Sequence, residues 1–358
     1  MTILDLFSGI GGFSLALKRV YKKKILHLNS DIDKYANDVY KYHFKESINY
    51  GSIKNIQPKK LPKIDIITFG SPCQDFSMAG KRKGLDGQRS SLIIEAIRLI
   101  KQCKPDFFIW ENVKGTFSSN NGDDFWAIIQ AFTNIGGYRL EWQLLNTKWF
   151  LPQNRERIYL VGLLGKGSGQ QIFPIGESYK GNFKERESSS YITTSYHKGM
   201  NFDNQLIKVK SATKKGYEIA EQGDSVNYSA PNSQTRRGRV GKGIAQTLDT
   251  GCNQAVVKPT QLGQSVKTYA YKNGTIIGKE NQDSFTIRSS NPNGVLVVNK
   301  IRRLTPIECE RLQGFPDNWT KKGKELETIS DTQRYKMCGN AVTVDVVEAV
   351  ANKIKNAL

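Results

Sequence analysis

The chain has 358 residues, 38% of them hydrophobic, and 53 Lys and Arg against 33 Asp and Glu leave a net charge of +20. That length allows two domains or one large domain with an insertion, and no apolar run approaches the roughly 18 residues of a membrane-spanning helix. The N-terminus enters a strand rather than a charged-then-apolar leader, so no signal peptide is expected, and the basic balance points to a polyanionic partner.

Residues 1 to 165 read as alternating strands and helices. Strands are expected at Thr2–Phe7, Ile25–Asn29, Ile64–Phe69 and Phe107–Trp110, with Tyr138–Asn146 and Arg157–Leu163 finishing the run. Helices are expected at Gly12–Val20, Lys34–Tyr42, Ser91–Gln102 and Phe125–Phe132, where apolar residues recur at helical spacing. Such alternation argues for an α/β, Rossmann-like doubly wound sheet. From Lys166 to Lys300 the chain turns polar, lacks tryptophan, and carries 19 Lys and Arg against 10 Asp and Glu. This segment reads as a smaller, mostly β or irregular module packed against something charged. Thr305, Pro306 and Glu308 then spell an N-cap, a first helical residue and a capping box, and the helix stops at Gly314. Gly339 to Ile354 reads as a glycine turn and a helix that returns to the first domain. The expected division is 1–165, 166–330 and 331–358.

The cysteines Cys73, Cys103, Cys252, Cys309 and Cys338 include no C-x-x-C pair, so neither a disulfide framework nor a metal site is expected, and a reducing cytoplasm fits. Cys73 is distinctive. It follows Pro72 at the end of an apolar strand, a corner that presents a nucleophile, and Gly80, Gly84 and Gly87 suit the next stretch to closing over a substrate. The loop Gly9-Ile10-Gly11-Gly12 follows a strand and opens a helix, where backbone amides approach a ligand closely. Asp31 or Asp33, past the second strand, is placed to hold a ribose. Arg155 and Arg157 alternate at a strand entry, so both face one side. In an open sheet ligands bind outside the carboxyl ends of the strands, so Gly9, Cys73 and Glu111 should converge on one crevice.

Taken in order, Asp5 to Gly12, Pro72-Cys73-Gln74, Glu111-Asn112-Val113, Gln153 to Arg157, Arg303 to Pro316 and Gly339 to Val342 resemble the DNA (cytosine-5) methyltransferases of bacterial and phage type. The resemblance covers nearly everything except the middle insert. It implies S-adenosylmethionine as cofactor, held by Phe7, Ser8, Gly9, Gly11, Gly12, Asp31, Ile32, Ser52, Ile53, Pro72, Leu92, Asn340 and Ala341. It implies catalysis by Cys73, Glu111, Arg155, Arg157 and Gln153, with Cys73 adding to C6 of a flipped-out cytosine and Glu111 serving the ring nitrogen N3. Ser52 departs from the pattern, since many family members carry an acidic residue there. The implied partner is double-stranded DNA, contacted by Ser77, Lys81, Arg89, Arg236, Arg237, Arg239, Thr247 and Leu248. A cognate restriction endonuclease would act separately, and a monomer is expected. Alternatives are a tRNA cytosine-5 methyltransferase, disfavoured by the large basic insert, and a DNA-binding relative without catalysis, disfavoured by the presence of Cys73, Glu111, Arg155 and Arg157.

Overall fold

The computed structural model of the chain describes residues 1–72, 90–165, 168–176, 207–230, 233, 235–259, 268–272, 275–277, 294–295 and 299–358. Its contacts divide it into two compact units, one of Met1–Arg186, Thr247–Cys252 and Thr305–Leu358, the other of Glu187–Gln246 and Asn253–Leu304. Residues 305–330, grouped with the middle module in the sequence-based division, therefore fall in the first unit.

The first unit is built on β1 (Thr2–Leu6), α1 (Gly12–Tyr21), β2 (Leu26–Ser30), α2 (Lys34–His43), β3 (Ile48–Asn49), β4 (Ile66–Gly70), α3 (Ser90–Cys103), β5 (Phe107–Val113), α4 (Asp123–Thr133), β6 (Tyr138–Asn146), β7 (Gln153–Asn154) and β8 (Glu156–Leu164). Seven strands form one sheet in the order β3-β2-β1-β4-β5-β8-β6. β1 to β5 pair in parallel, whereas β8 runs antiparallel to both β5 and β6. The strand order reverses between β1 and β4, the point at which an open α/β sheet leaves a crevice.

Alternate residues of each strand feed two cores. Ile3, Ile66 and Ile109 join the layer that holds Phe13, Leu17 and Tyr40, while Leu4, Ile67 and Trp110 join the one that holds Ile93, Leu99 and Phe132. Burial on both faces explains why these strands are continuous apolar runs. The resulting doubly wound architecture agrees with the sequence reading.

The C-terminal part supplies α5 (Pro306–Leu312), α6 (Asp331–Asn340) and α7 (Val344–Ala357). The capping box at the start of α5 forms as expected: Thr305 N donates to Glu308 Oε2 at 2.8 Å and Glu308 N to Thr305 Oγ1 at 3.3 Å. α6 escaped the sequence reading because its segment, Asp-Thr-Gln-Arg-Tyr-Lys, shows no clear apolar stripe. α7 packs on α1, where Arg19 pairs with Asp345 at 3.1 Å and Glu348 at 3.3 Å.

The second unit consists of short strands: β9 (Ile207–Lys210), β10 (Tyr217–Ala220), β11 (Ser225–Asn227), β12 (Val240–Gly241), β13 (Ala245–Gln246), β14 (Gln254–Pro259), β15 (Thr268–Lys272), β16 (Thr275–Ile277), β17 (Gly294–Val295) and β18 (Asn299–Arg303). Its largest sheet has the order β12-β11-β14-β18, over a small cluster of Ala220, Val226 and Val257. The β-rich insert expected from its polar, turn-rich sequence is present.

Beneath the glycine loop lies a buried polar knot. Asp5 of β1 accepts hydrogen bonds from Ser14 Oγ and Thr68 Oγ1, both at 2.9 Å, and Ser14 Oγ lies 2.7 Å from the Tyr40 hydroxyl. It ties β1, β4, α1 and α2 together. Burial pushes the Asp5 carboxyl up to about 7 from an ordinary 3.8, against the two hydroxyl donors. A folded chain that keeps a proton the unfolded chain has released is destabilised as pH rises between those two values, by about 1.4 kcal/mol per pH unit. Asp5→Asn should therefore gain stability relative to the native chain as pH rises from 5 to about 7, and no further above it. Urea melts across that range test this, and parallel pH profiles would show that Asp5 is already charged.

Candidate active site

A cavity of about 510 Å³ opens at the carboxyl ends of β1, β2, β4 and β5, where the strand order reverses. Its size falls within the range of small-molecule sites. The loop after β1 forms one wall. Phe7, Ser8, Gly9 and Gly12 line the cavity, and Phe7 takes a left-handed φ of 52°, a strained conformation for a bulky residue. Gly11, also expected to bind cofactor, is not among the lining residues. Its φ is 85°, and a Cβ there would lie 2.7 Å from the Phe44 ring, so this glycine serves the packing of α1 on α2.

Asp31 lines the cavity just past β2. Its carboxylate accepts from Gly9 N and from Asp33 N, each at 2.8 Å, so it braces the glycine loop as well as facing the cavity. Burial pushes its pKa up, opposed by these amides. Asp33 is otherwise engaged. It caps α2 by accepting from Tyr35 N at 3.0 Å and Ala36 N at 3.3 Å, and it pairs with Lys336 at 2.6 Å. Burial acts to raise its pKa, but Lys336 and the helix amides outweigh it and hold the carboxyl below its usual range. Both of the acids the sequence left open line the cavity, and they differ in that the Asp33 carboxylate is committed to the helix cap and Lys336. Ile32 beside it is 82% exposed, an apolar platform at the cavity edge. Ser52, Ile53, Pro72 and Leu92 complete this side.

Glu111 and Asn112, past the expected strand end at Trp110, extend β5, because the antiparallel partner β8 keeps pairing until Val113 meets Arg157. That pairing sets Arg157 Nε 3.1 Å from Glu111 Oε1. The absent Cβ of Gly70 makes room for Glu111 Oε2, which lies 3.1 Å from where that carbon would stand. Arg155 is buried in the same wall, and its Nη2 donates to the Ala341 carbonyl at 2.9 Å. Arg155 and Arg157 both line the cavity, as their alternation implied. Gln153 does not. It is fully buried, and its side-chain amide finds no hydrogen-bond partner among the described residues.

The last wall comes from the far end of the chain. Met337, Gly339, Asn340, Ala341 and Val342 line the cavity. Met337 was missed along with the rest of α6. Gly339 is not a turn residue but part of α6, and a Cβ on it would lie 2.5 Å from the Asp249 carbonyl oxygen. This close approach seats the short segment Thr247–Cys252. There Thr247 Oγ1 donates to the Asn154 carbonyl at 2.8 Å, Leu248 is 3% exposed, and Cys252 Sγ lies 3.3 Å from Cys309 Sγ.

Two expected DNA contacts are corrected by burial. Leu248 is core, with no side chain left to offer a nucleic acid. Arg239 is likewise 3% exposed, and its guanidinium donates to the carbonyls of Lys210, Ser229 and Ala230, which makes it a clamp inside the second unit. Arg237 remains exposed, and Arg236 is half-buried with Nη1 donating to Ser229 O at 3.1 Å. Cys73, Ser77, Lys81 and Arg89 lie outside the described residues.

An open α/β sheet with a nucleoside-sized cavity at its switch point, rimmed by acids on one side and arginines on the other, has the architecture of a group-transfer enzyme. A family model described as C-5 cytosine-specific DNA methylase matches residues 1–356, and the chain belongs to that family. The orphan methyltransferase M.SPRI of Bacillus phage SPR is 29% identical and covers 99% of this chain and 97% of its own. Type II methyltransferase M.HaeII of Haemophilus aegyptius is 33% identical, with coverage of 99% and 93%. Among solved structures, the Entamoeba histolytica methyltransferase EhMeth aligns with a TM-score of 0.57 at 16% identity, covering 99% of this chain and 98% of its own, a likeness of fold. The protein is thus a DNA (cytosine-5) methyltransferase.

The seating of Gly339 gives a sharp test. By helix propensity alone Gly339→Ala should stabilise α6 by up to about 1 kcal/mol. The backbone atoms of Asp249 and Thr250 within 2.5 to 2.7 Å of the added carbon predict the reverse sign, a loss of about 1–3 kcal/mol in urea unfolding.

Proposed function

We propose that the protein methylates carbon 5 of a cytosine rotated out of duplex DNA, with S-adenosylmethionine as donor and Cys73 as transient nucleophile. The observation that carries this reading is the convergence on one cavity of the glycine loop, Asp31, Pro72, Glu111, Arg155 and Arg157. Cys73 is the next residue after Pro72.

The residues present suit the donor. The glycine loop and Asp31 offer backbone and carboxylate contacts for a ribose, Phe7 and Ile32 offer apolar surface for a base, and Asn340 and Ala341 would face the amino-acid end. When bound, S-adenosylmethionine supplies a methyl group activated on a sulfonium. The protein's part is to make carbon 5 nucleophilic. Addition of the Cys73 thiolate to C6 breaks the aromatic ring and leaves an enamine-like carbon 5. A hydrogen bond from Glu111 to N3 favours that addition by taking up the charge that develops on the ring. Arg157 holds Glu111 Oε1, so the carboxyl is oriented before the substrate arrives. After methyl transfer, loss of the C5 proton and departure of the thiolate restore the ring.

A base inside a helix cannot enter such a cavity, so the cytosine must be everted at a cost of a few kcal/mol. The basic second unit is the proposed groove reader, with exposed Arg237 and half-buried Arg236 as its candidates for base or phosphate contact. The relatives include both orphan and type II enzymes, so the chain is proposed as a modification methyltransferase, with any cognate endonuclease a separate protein.

Cys73→Ser should abolish methylation while leaving duplex binding within about twofold of the native protein, and a 5-fluorocytosine duplex should trap a covalent adduct on Cys73 only when cofactor is present. Methylation near the native rate in Cys73→Ser would remove the nucleophile from this account. Glu111→Gln should lower the turnover rate by about 10²-fold or more at neutral pH.

A further inference from the structure

The stretch from Cys338 to Val344, which carries the cavity-lining residues 339–342, is held from below by an unusual set of buried polar contacts. Gln313, fully buried at the end of α5, makes most of them. Its Nε2 donates to the Cys338 carbonyl at 3.1 Å, its Oε1 accepts from Thr343 Oγ1 at 2.9 Å, and its backbone carbonyl accepts from Val344 N at 2.9 Å. Thr343 stands at the N-cap of α7, where a threonine hydroxyl ordinarily accepts from a helix amide. Here it makes no such cap, and its hydroxyl donates to Gln313. Thr147 Oγ1, 3.1 Å away, then donates to Thr343, and Thr147 N donates to the Arg155 carbonyl at 2.9 Å. The ring closes where the Arg155 guanidinium reaches Ala341 O.

This chain of contacts joins the arginine wall to the C-terminal wall, and the strap it fixes also touches the glycine loop. A Cβ on Gly12 would lie 2.7 Å from Val342 Cγ1, so a strap displaced by even a few tenths of an ångström would alter the spacing of the two walls. We propose that Gln313 is a positioning residue for the cofactor: its carboxamide sets the height of the 339–342 strap, and so the width of the cavity, without touching the ligand. The proposal rests on the reading of this cavity as the S-adenosylmethionine site. The side-chain orientation is set by the Cys338 carbonyl, which can only accept and so faces Nε2.

A charge-sensitive substitution makes the role testable. Gln313→Glu keeps shape but places a carboxylate oxygen against the Cys338 carbonyl. Once protonated, that group becomes a donor again, so the variant should recover as pH falls. Glu310 with Arg334, paired at 3.0 Å, and the neighbouring Asp345, Cys338 and Arg155 are common to both proteins, so a pH response confined to the variant belongs to position 313.

The experiment is calorimetric titration of the full chain with S-adenosylhomocysteine, beside amide hydrogen exchange of residues 339–343 without ligand and duplex binding at fixed salt. Gln313→Leu should weaken S-adenosylhomocysteine by about tenfold or more and speed exchange of the strap, with duplex binding within about twofold of native. Gln313→Glu should bind as weakly at pH 8 and regain most of the affinity by pH 6, and Thr343→Val should fall between. Should Gln313→Leu fail to fold, the Gln313→Glu pH series and Thr343→Val decide. Native-like affinity in Gln313→Leu, or a pH-independent deficit in Gln313→Glu, overturns the proposal. Failure of the native chain to bind S-adenosylhomocysteine at all overturns the cofactor reading beneath it.

Discussion

The parallel pairing of β1 with both β2 and β4 is the constraint on which the rest depends. It places the ends of strands separated by up to about sixty residues of chain side by side, and it reverses the strand order at the same place. The helices that follow β1 and β4, α1 and α3, cover opposite faces. The crevice between them is a consequence of topology before any side chain is chosen. The glycine loop, Asp31 and Pro72 then fall on its rim because each directly follows a strand end.

Holding that crevice open takes polar contacts in places water does not reach. Asp5, Ser14, Thr68 and Tyr40 tie the two strands to the two helices beneath the loop, and Asp31 accepts two loop amides above it. On the opposite side Arg157 fixes Glu111, and Arg155 reaches the C-terminal strap. Each of these groups would be costly to bury alone, and each is contacted by a residue distant in sequence. The site is therefore rigid for the same reason that it is far-flung in sequence.

Much of this was legible in the chain. The apolar strands, the amphipathic α1, α3 and α7, the capping box at Thr305 and the acid after β2 all carry local signals, and local signals survive folding when no tertiary contact opposes them. The failures have physical causes. β5 runs past its expected end at Trp110 because the pairing of Glu111 and Asn112 with β8 is non-local. α6 was invisible because tertiary contacts rather than an apolar stripe hold it. Arg239 and Leu248 looked like DNA contacts because charge and motif suggest exposure, whereas carbonyl clamps and packing bury them.

Sequence alone determined the family resemblance: the ordered motifs around the glycine loop, the proline-preceded cysteine, Glu111 and the paired arginines carry it, because residue types and their order are written in the chain. Tertiary structure decided which of those groups share a wall. Asp31 and Asp33 both line the cavity, but the Asp33 carboxylate is spent on a helix cap and Lys336. Gln313, far from any ligand signature, joins the machinery because hydrogen bonds between residues distant in sequence exist only once the sheet has brought its two ends together.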